Sequence, residues 1–564
     1  MAVSSVPTSV RVKSDVYVAH PEKKVTLYFV VTGFVALLIG ALIGPLQALN
    51  YAGINVYQYL PFLKSYYQGL TLHGVLNVLV FTTFFICGWL LYIPARSLDK
   101  RPSMAMAWTI YWIMMGGLGM AGVAIIANTS NVLYTFYPPL MGHWAFYLGL
   151  ALVVVGSLLT GIEVVRMWLS WKRENPGKIT PLPAYMCLLT WLMWLLASLG
   201  LVSEVVFLLL PWSMGLVDGV DPLLARTLFW FTGHPIVYFW LLPAYVSWYA
   251  MFPKQTGGEL VSDPLTRLVF IFFLLFSTPV GLHHQFSDPG ITPAWKLVHS
   301  TLTSLVAVPS LITAFTIGAS LEKAGRENGG RGLLGWIPKL NWRNASFTAQ
   351  ALAMFSFIFG GAGGVVNASF GLNAVVHNTT WVPGHFHLTV GSAVKLSFFG
   401  IAFWLLPNLT RKKLFSNGMA LASSWLWFVG MMVFSVGMHW QGILAVPRRA
   451  HVSNLSANLV GAYSDGVIPR FLTGFGGVIL LFAVILFFTV FFGTLWGKRV
   501  HNEDEVEIPW APAHATPSNN RILKVMDHVF IWWAFSAFIV AAAYGPTLFN
   551  IITNTMRVPG WKLW

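Results

Sequence analysis

Residues 222–252 read PLLARTLFWFTGHPIVYFWLLPAYVSWYAMF, with Arg226 as the one formal charge. The run exceeds the roughly 20 residues that cross a bilayer core. Backbone groups in lipid must find their partners within the segment, so such a run can only be a helix. It nevertheless carries a histidine, His234, near its middle. An ionisable side chain at that depth is costly and needs a partner or a purpose.

The rest of the chain repeats the pattern. Of 564 residues, 56% are hydrophobic and 9% charged, where a soluble domain carries roughly a quarter charged. Windows of about 20 residues give about thirteen spans. They cover 24–48, 68–95, 105–127, 140–167, 182–210, 222–252, 265–286, 293–321, 346–375, 381–408, 417–446, 467–499 and 526–553. The expected fold is an all-α integral membrane protein, and a soluble fold is excluded. Residues 1–23 form an N-terminal segment, 24–553 a single polytopic membrane domain and 554–564 a C-terminal tail.

The net charge of +15 is not spread evenly. Lys and Arg collect in alternate connections: Arg96/Lys100/Arg101, Arg166/Lys172/Arg173/Lys178, Lys323/Arg326/Arg331/Lys339/Arg343, Arg411/Lys412/Lys413 and Lys498/Arg499. The connections between are poor in them, and one carries Asp218 and Asp221. This positive-inside pattern places the N-terminus in the cytoplasm and, with an odd number of spans, the C-terminus outside. The charge therefore reports contact with a lipid membrane and not a nucleic-acid partner. Cys87 and Cys187 both fall inside spans, which leaves no disulfide framework or cysteine metal site. The polar start lacks a cleavable signal, so the first span serves as its own insertion signal. The connections 322–345 and 500–525 are the longest, and the second reads as a solvated linker. The run Gly360–Gly364 allows close helix contact or borders a cofactor.

Seven histidines lie in or beside the spans: His73, His234, His283, His284, His377, His385 and His387. One alone is explained by a hydrogen bond in the core; seven, clustered as HH and HxH, point to metal. Imidazole suits iron, copper and zinc alike, so arrangement must decide. All but His377 are placed in the outer half of the bilayer, as a shared centre requires. Residues i and i+2 on a helix point about 200° apart, so His385 and His387 serve different cofactors. His73 is then free to complete a six-coordinate haem with one of them, and the other holds a five-coordinate haem. His234, His283 and His284 make a three-imidazole site with an open position, as a reactive metal requires.

Tyr238, Tyr245 and Tyr249 follow His234 at offsets of 4, 11 and 15. They share an arc of about 60° and descend roughly 22 Å. The eighth span carries Ser310, Thr313 and Thr316 at helical spacing. Hydroxyls in membrane helices often only bond the backbone. Beside the tyrosine line they read as a proton path from the cytoplasm.

The segments around these residues resemble the signatures of subunit I of the haem–copper oxidases. They are WFTGHPIVYFWLLP (Trp230–Pro243), TPVGLHHQF (Thr278–Phe286), VPGHFHL (Val382–Leu388), LTLHGVL (Leu70–Leu76), FYPPL (Phe136–Leu140) and VPRRA (Val446–Ala450). The resemblance runs from about residue 20 to the C-terminus, with the motifs in order. It implies that His73 and His387 ligate the low-spin haem, His385 the high-spin haem, and His234, His283 and His284 a copper ion. Tyr238 matches the catalytic tyrosine linked covalently to His234, and side chains at i and i+4 do meet on a helix. Arg448 and Arg449 match the pair that binds haem propionates, with Asn373 and His377 nearby. Ile236 stands where the major branch has a glutamate, and Thr313 and Thr316 where it has a lysine. These departures resemble the B-family, or ba3 type, with haem b at the low-spin site and a haem of a type at the other. Asn373 and Asn378 replace acidic residues of the family, which leaves His377 as the propionate-side proton acceptor. Lys395 has no counterpart in the pattern, so pairing or snorkelling are its physical readings.

The resemblance implies a terminal respiratory oxidase, a cytochrome c oxidase of a prokaryotic cell membrane. It would reduce dioxygen by four electrons to water and translocate protons. The implied partners are a subunit II with a dicopper centre, a small accessory membrane subunit, and cytochrome c or a similar donor. A nitric oxide reductase of the same superfamily lacks a tyrosine at the position of Tyr238. A transporter would line one pore or a midplane site, and a bis-histidine cytochrome would leave His234, His283 and His284 idle.

Overall fold

The computed structural model describes residues 16–455, 466–497, 506–514, 520–562 and 564. The spans are α1 (Pro21–Tyr51), α2 (Tyr66–Ser97), α3 (Met104–Ile126), α4 (Trp144–Glu174), α5 (Leu182–Ser213), α6 in two pieces (Pro222–Gly233 and Pro235–Ala250), α7 (Asp263–Gln285), α8 (Pro293–Glu327), α9 (Ala345–Ala368), α10 (Trp381–Thr410), α11 (Asn417–Ile443), α12 (Val467–Trp496) and α13 (Val529–Thr553). Twelve are long and apolar enough by themselves to cross a membrane. The thirteenth, α6, misses that length because it breaks at His234. Pro235 causes the break, since it has no N–H and its ring clashes with the carbonyl four residues back. Thr232 then fastens α6 to α5, donating to the Ala197 carbonyl and accepting from Leu201 N–H.

The apolar windows of α2 and α10 are 89% and 94% buried, which puts these two helices at the centre; α8, α12 and α13 lie at the rim. Lipid supplies little hydrophobic drive between helices, so packing and hydrogen bonds must hold the bundle. Phenylalanines do much of this work around α1, α2, α10 and α12, with Phe85 on Phe398 at 4.1 Å and Phe399 on Phe487 at 3.7 Å. A charge at the centre of a membrane helix costs about 2.5–3.5 kcal/mol. The ion pairs accordingly lie near the helix ends, as in Arg166–Glu163 and Arg267–Asp263.

The described termini lie at opposite ends of the bundle. At one, Arg96 pairs with Glu22 and Arg101 donates to the Ala19 carbonyl; this is the basic end. At the other, Val558 pairs with Val220, and Trp561 with Pro139 and Met141, so the C-terminal tail docks on the connections there. Lys498 and Arg499 lie outside the described residues. Two expectations change. The ninth helix stops at Ala368 and not near residue 375, because Asn367 bonds back to Gly363 and Ser369 turns extended; a separate short helix, Phe370–Val376, follows. The described part of the presumed linker, 506–514, is docked: Leu260 and His514 bond across it, and Asn408 donates to the Val506 carbonyl.

Irregular turns place the histidines. Helix α7 is regular over Asp263–Ser277, unwinds, and resumes as a 3-10 turn over Leu282–Gln285 that carries His283 and His284. A Cβ on Gly281 would lie 2.1 Å from the Trp230 carbonyl oxygen and 2.3 Å from the Tyr544 hydroxyl. Glycine is the residue that lets this turn approach α6. In α2 and α10, π-helical segments (Val75–Val80 and Thr389–Val394) begin just after His73 and His387. Gly281→Ala should overpack the turn at about 1–3 kcal/mol. The check is thermal denaturation of the purified protein, with a lower midpoint expected and an unchanged one showing that the turn has slack.

Candidate metal and cofactor centre

The break in α6 and the turn of α7 bring three imidazoles together. The ligating atoms of His234, His283 and His284 lie within 4.8 Å of one another. His283 Nδ1 is 3.0 Å from the Thr303 hydroxyl, which itself donates to the His299 carbonyl. The hydroxyl must therefore accept from His283 Nδ1–H, leaving Nε2 free to bind metal. His284 lies flat on Trp230, ring centroids 3.8 Å apart, with Nε2 3.4 Å from His234 Nδ1. His234 Nε2 is buried without a partner, and the Tyr238 ring stands 4.9 Å from its ring.

A cavity of about 610 Å³ joins this cluster to His385 and Tyr238. Gly360, Gly361, Ala362 and Gly364 border it, and a Cβ on Gly363 would lie 2.7 Å from His385 Nδ1. Val155, Val206 and Leu311 line the same cavity and are exposed on the flank of the bundle, so its apolar wall reaches the outer surface.

His387 turns the other way, as its two-residue offset requires. With His73 it lines a second cavity of about 130 Å³. The two rings are parallel within 14° and their centroids are 6.3 Å apart. His73 Nδ1–H donates to the Gly40 carbonyl at 2.8 Å and His387 Nδ1–H to the Pro383 carbonyl at 2.7 Å. In both rings Nε2 stays available. Arg448 and Arg449 stand at the edge of this cavity, and Arg448 reaches the larger one too. Arg448 bonds Asn378 through backbone and side chain, while Arg449 lies over Tyr134 and Tyr137. Arg448 Nε and Arg449 Nη2 are buried without acceptors. Burial, and then Arg449, pull the Arg448 guanidinium down to about 10.

Residues 24–479 match the family described as cytochrome c and quinol oxidase polypeptide I. The chain belongs to that family. It is 54% identical to cytochrome c oxidase subunit 1 of Thermus thermophilus, over 98% of this chain and 99% of the relative. Cytochrome c oxidase polypeptide 1 of Halobacterium salinarum is 25% identical, over 79% of this chain and 73% of its own length. Among solved structures, a haem–copper terminal oxidase dimer seen by cryo-electron microscopy superposes with a TM-score of 0.91 at 37% identity, covering 96% of this chain and 95% of that one. The chain is the catalytic subunit I of a terminal oxidase.

The residues of this subunit fit the haems and copper of its family. His284 Nε2 and His234 Nδ1, 3.4 Å apart and grouped with His283, have the spacing of two nitrogens held about 2 Å from one metal ion. Two metal–imidazole bonds of about 2 Å each plus two half-rings fill the 6.3 Å between His73 and His387. The buried guanidinium atoms without acceptors call for anions, which haem carboxylates supply.

One link of the hydroxyl line expected from the sequence forms. Tyr249 donates to Thr313 Oγ1 at 2.8 Å, and Thr313 in turn to the Pro309 carbonyl. Tyr245 is buried beside Ser310 and Thr313 without an aligned hydrogen bond. Thr316 is buried and Ser310 borders the larger cavity, while Leu311 and Phe315 face outward from the same helix. Asn373 and His377 line neither cavity: Asn373 donates to the Asn367 carbonyl, and His377 packs near His284, Arg448 and Asp288. Burial, and then Arg448, hold the His377 imidazole below its ordinary range.

Sequence reading missed Thr303, Trp230 and the Arg226–Asp288 ion pair at 2.9 Å. Thr303 sits seven residues before Ser310, on the same helical face, so its signal was present. Asp288 gave none. Thr303→Val should weaken metal binding at the three-histidine site about 10- to 100-fold, the usual cost of losing an outer-shell partner. Copper per chain under competing chelator would show it, with the His73/His387 spectrum unchanged; full copper retention would remove Thr303 from the site.

Proposed function

We propose that this subunit reduces dioxygen to water in a ba3-like oxidase, with the site residues in the following roles. His73 and His387 hold a low-spin haem of b type, His385 a high-spin haem of a type, and His234, His283 and His284 one copper ion. Those groups, when bound, supply the four-electron redox chemistry. The single observation that carries the reading is the three-imidazole cluster sharing one cavity with His385 and Tyr238.

The chain's own residues do the rest. Tyr238 is the catalytic tyrosine: its nearness to the unpartnered His234 Nε2 supports a covalent link there and a phenol that gives up a proton and an electron. Protons enter at Tyr249 Oη, pass to Thr313 Oγ1 and Tyr245 Oη, and reach Tyr238, with Thr316 and Ser310 flanking the line. Arg448 and Arg449 hold the haem propionates. His377, with Asn373 behind it, accepts protons on the propionate side. The apolar flank of the larger cavity admits dioxygen from the lipid.

The basic end faces the cytoplasm of a prokaryotic cell, so protons approach from inside. The opposite end carries the docking surface for a subunit II with a dicopper centre, which passes on electrons from cytochrome c or a similar donor. A small accessory membrane subunit completes the complex, and the reaction drives proton translocation. Tyr238 disfavours nitric oxide reduction as the main activity.

The deciding measurement is a pair of reduced-minus-oxidised spectra, with and without carbon monoxide, together with metal analysis. Two irons and one copper per subunit I beyond the partner's copper, with carbon monoxide shifting one haem, are expected. A third, non-haem iron in place of this copper would indicate a nitric oxide reductase. Thr313→Val should slow steady-state oxygen consumption by about a hundredfold, the lower end of what losing one proton-transfer group costs. Both haem spectra should be unchanged, and full turnover in that variant would move the proton path elsewhere.

A further inference from the structure

Lys395 plays no part in the roles assigned above, and its position explains why it is there. It sits inside α10, is 6% exposed, and lines the cavity of His73 and His387. Neither sequence-based reading survives. Among the described residues it has no ion-pair partner, and its ammonium stays in the bundle, 6.0 Å over the Trp427 ring. The imidazoles that share this cavity with it are His73 and His387.

Helix geometry turns it toward that pair. Eight residues separate His387 from Lys395, and in an unbroken α-helix they would point about 80° apart. The π segment Thr389–Val394 lies between them and absorbs one residue. The pair then behaves as if seven apart, within about 20° on one face. Lys395 is displaced along the helix from His387 toward the basic end, whereas Arg448 and Arg449 come from the connection at the other end. The cavity of His73 and His387 thus has basic side chains toward both ends, and the buried donors without acceptors are those of the arginine pair.

We propose that Lys395 is a tuning residue for the low-spin haem. Its buried positive charge stabilises the reduced iron over the oxidised iron and holds the haem's potential up, favouring electron entry. The inference rests on His73 and His387 being that haem's ligands. Oxidised low-spin haem carries one more positive charge than reduced haem. An ammonium in the same poorly solvated slot therefore disfavours oxidation.

The test is a spectroelectrochemical titration of the low-spin haem in the intact complex, with carbon monoxide holding the other haem reduced. Lys395→Met should shift the equilibrium toward the oxidised form at least tenfold, or 59 mV for a one-electron couple. Lys395→Arg should stay near wild type, and the wavelength and haem content should be unchanged. Lys395→Gln, which keeps a polar side chain without the charge, is measured alongside and should follow the Met variant even if that variant binds haem poorly. A Met or Gln variant with full haem and an unmoved potential overturns the inference alone. Wild-type complex without a six-coordinate haem overturns the ligand assignment and this inference with it.

Discussion

A buried imidazole has two ring nitrogens, and this bundle ties one of them to protein at several sites. His73 and His387 give Nδ1–H to the carbonyls of Gly40 and Pro383, and His283 gives it to Thr303. In each case the other nitrogen is left as a lone pair aimed at a shared space. Fixing one nitrogen sets tautomer and ring orientation together. The cavities, the broken helices and the arginine pair are arranged around that commitment.

Regular helices could not deliver this arrangement. His234 stands at a proline break, His283 and His284 on a 3-10 turn, and His73 and His387 at the start of π segments. Each irregularity frees backbone groups that lipid cannot satisfy, so each is placed where neighbouring helices enclose it. Gly281 and Gly363 mark close approaches beside the histidines, where a methyl group would strike a carbonyl or a histidine ring. The same departures that weaken the helices locally bring side chains from α2, α6, α7 and α10 to common cavities.

Polarity is sorted along the bundle. Guanidinium groups come from the connection at one end, tyrosine and threonine hydroxyls run from the larger cavity along α6 and α8, and the surfaces facing lipid are apolar. Lys395 is the exception, a lysine inside the bundle with no carboxylate beside it among the described residues.

Much was legible in the residues alone. Apolar run length determined the helical membrane fold, because lipid permits nothing else to span it. The HxH offset determined that His385 and His387 face different cavities, because a helix turns about 100° per residue. Clustering of HH with His234 pointed to one site, and the family signatures named its chemistry. Tertiary structure alone decided that Thr303 fixes His283, that Trp230 supports His284, that 506–514 is docked, and that Lys395 shares a cavity with His73 and His387. Those contacts join residues distant in the chain, or depend on π and 3-10 turns that shift helical phase. Sequence periodicity assumes a constant turn per residue, and the functional part of this bundle is where that turn is broken.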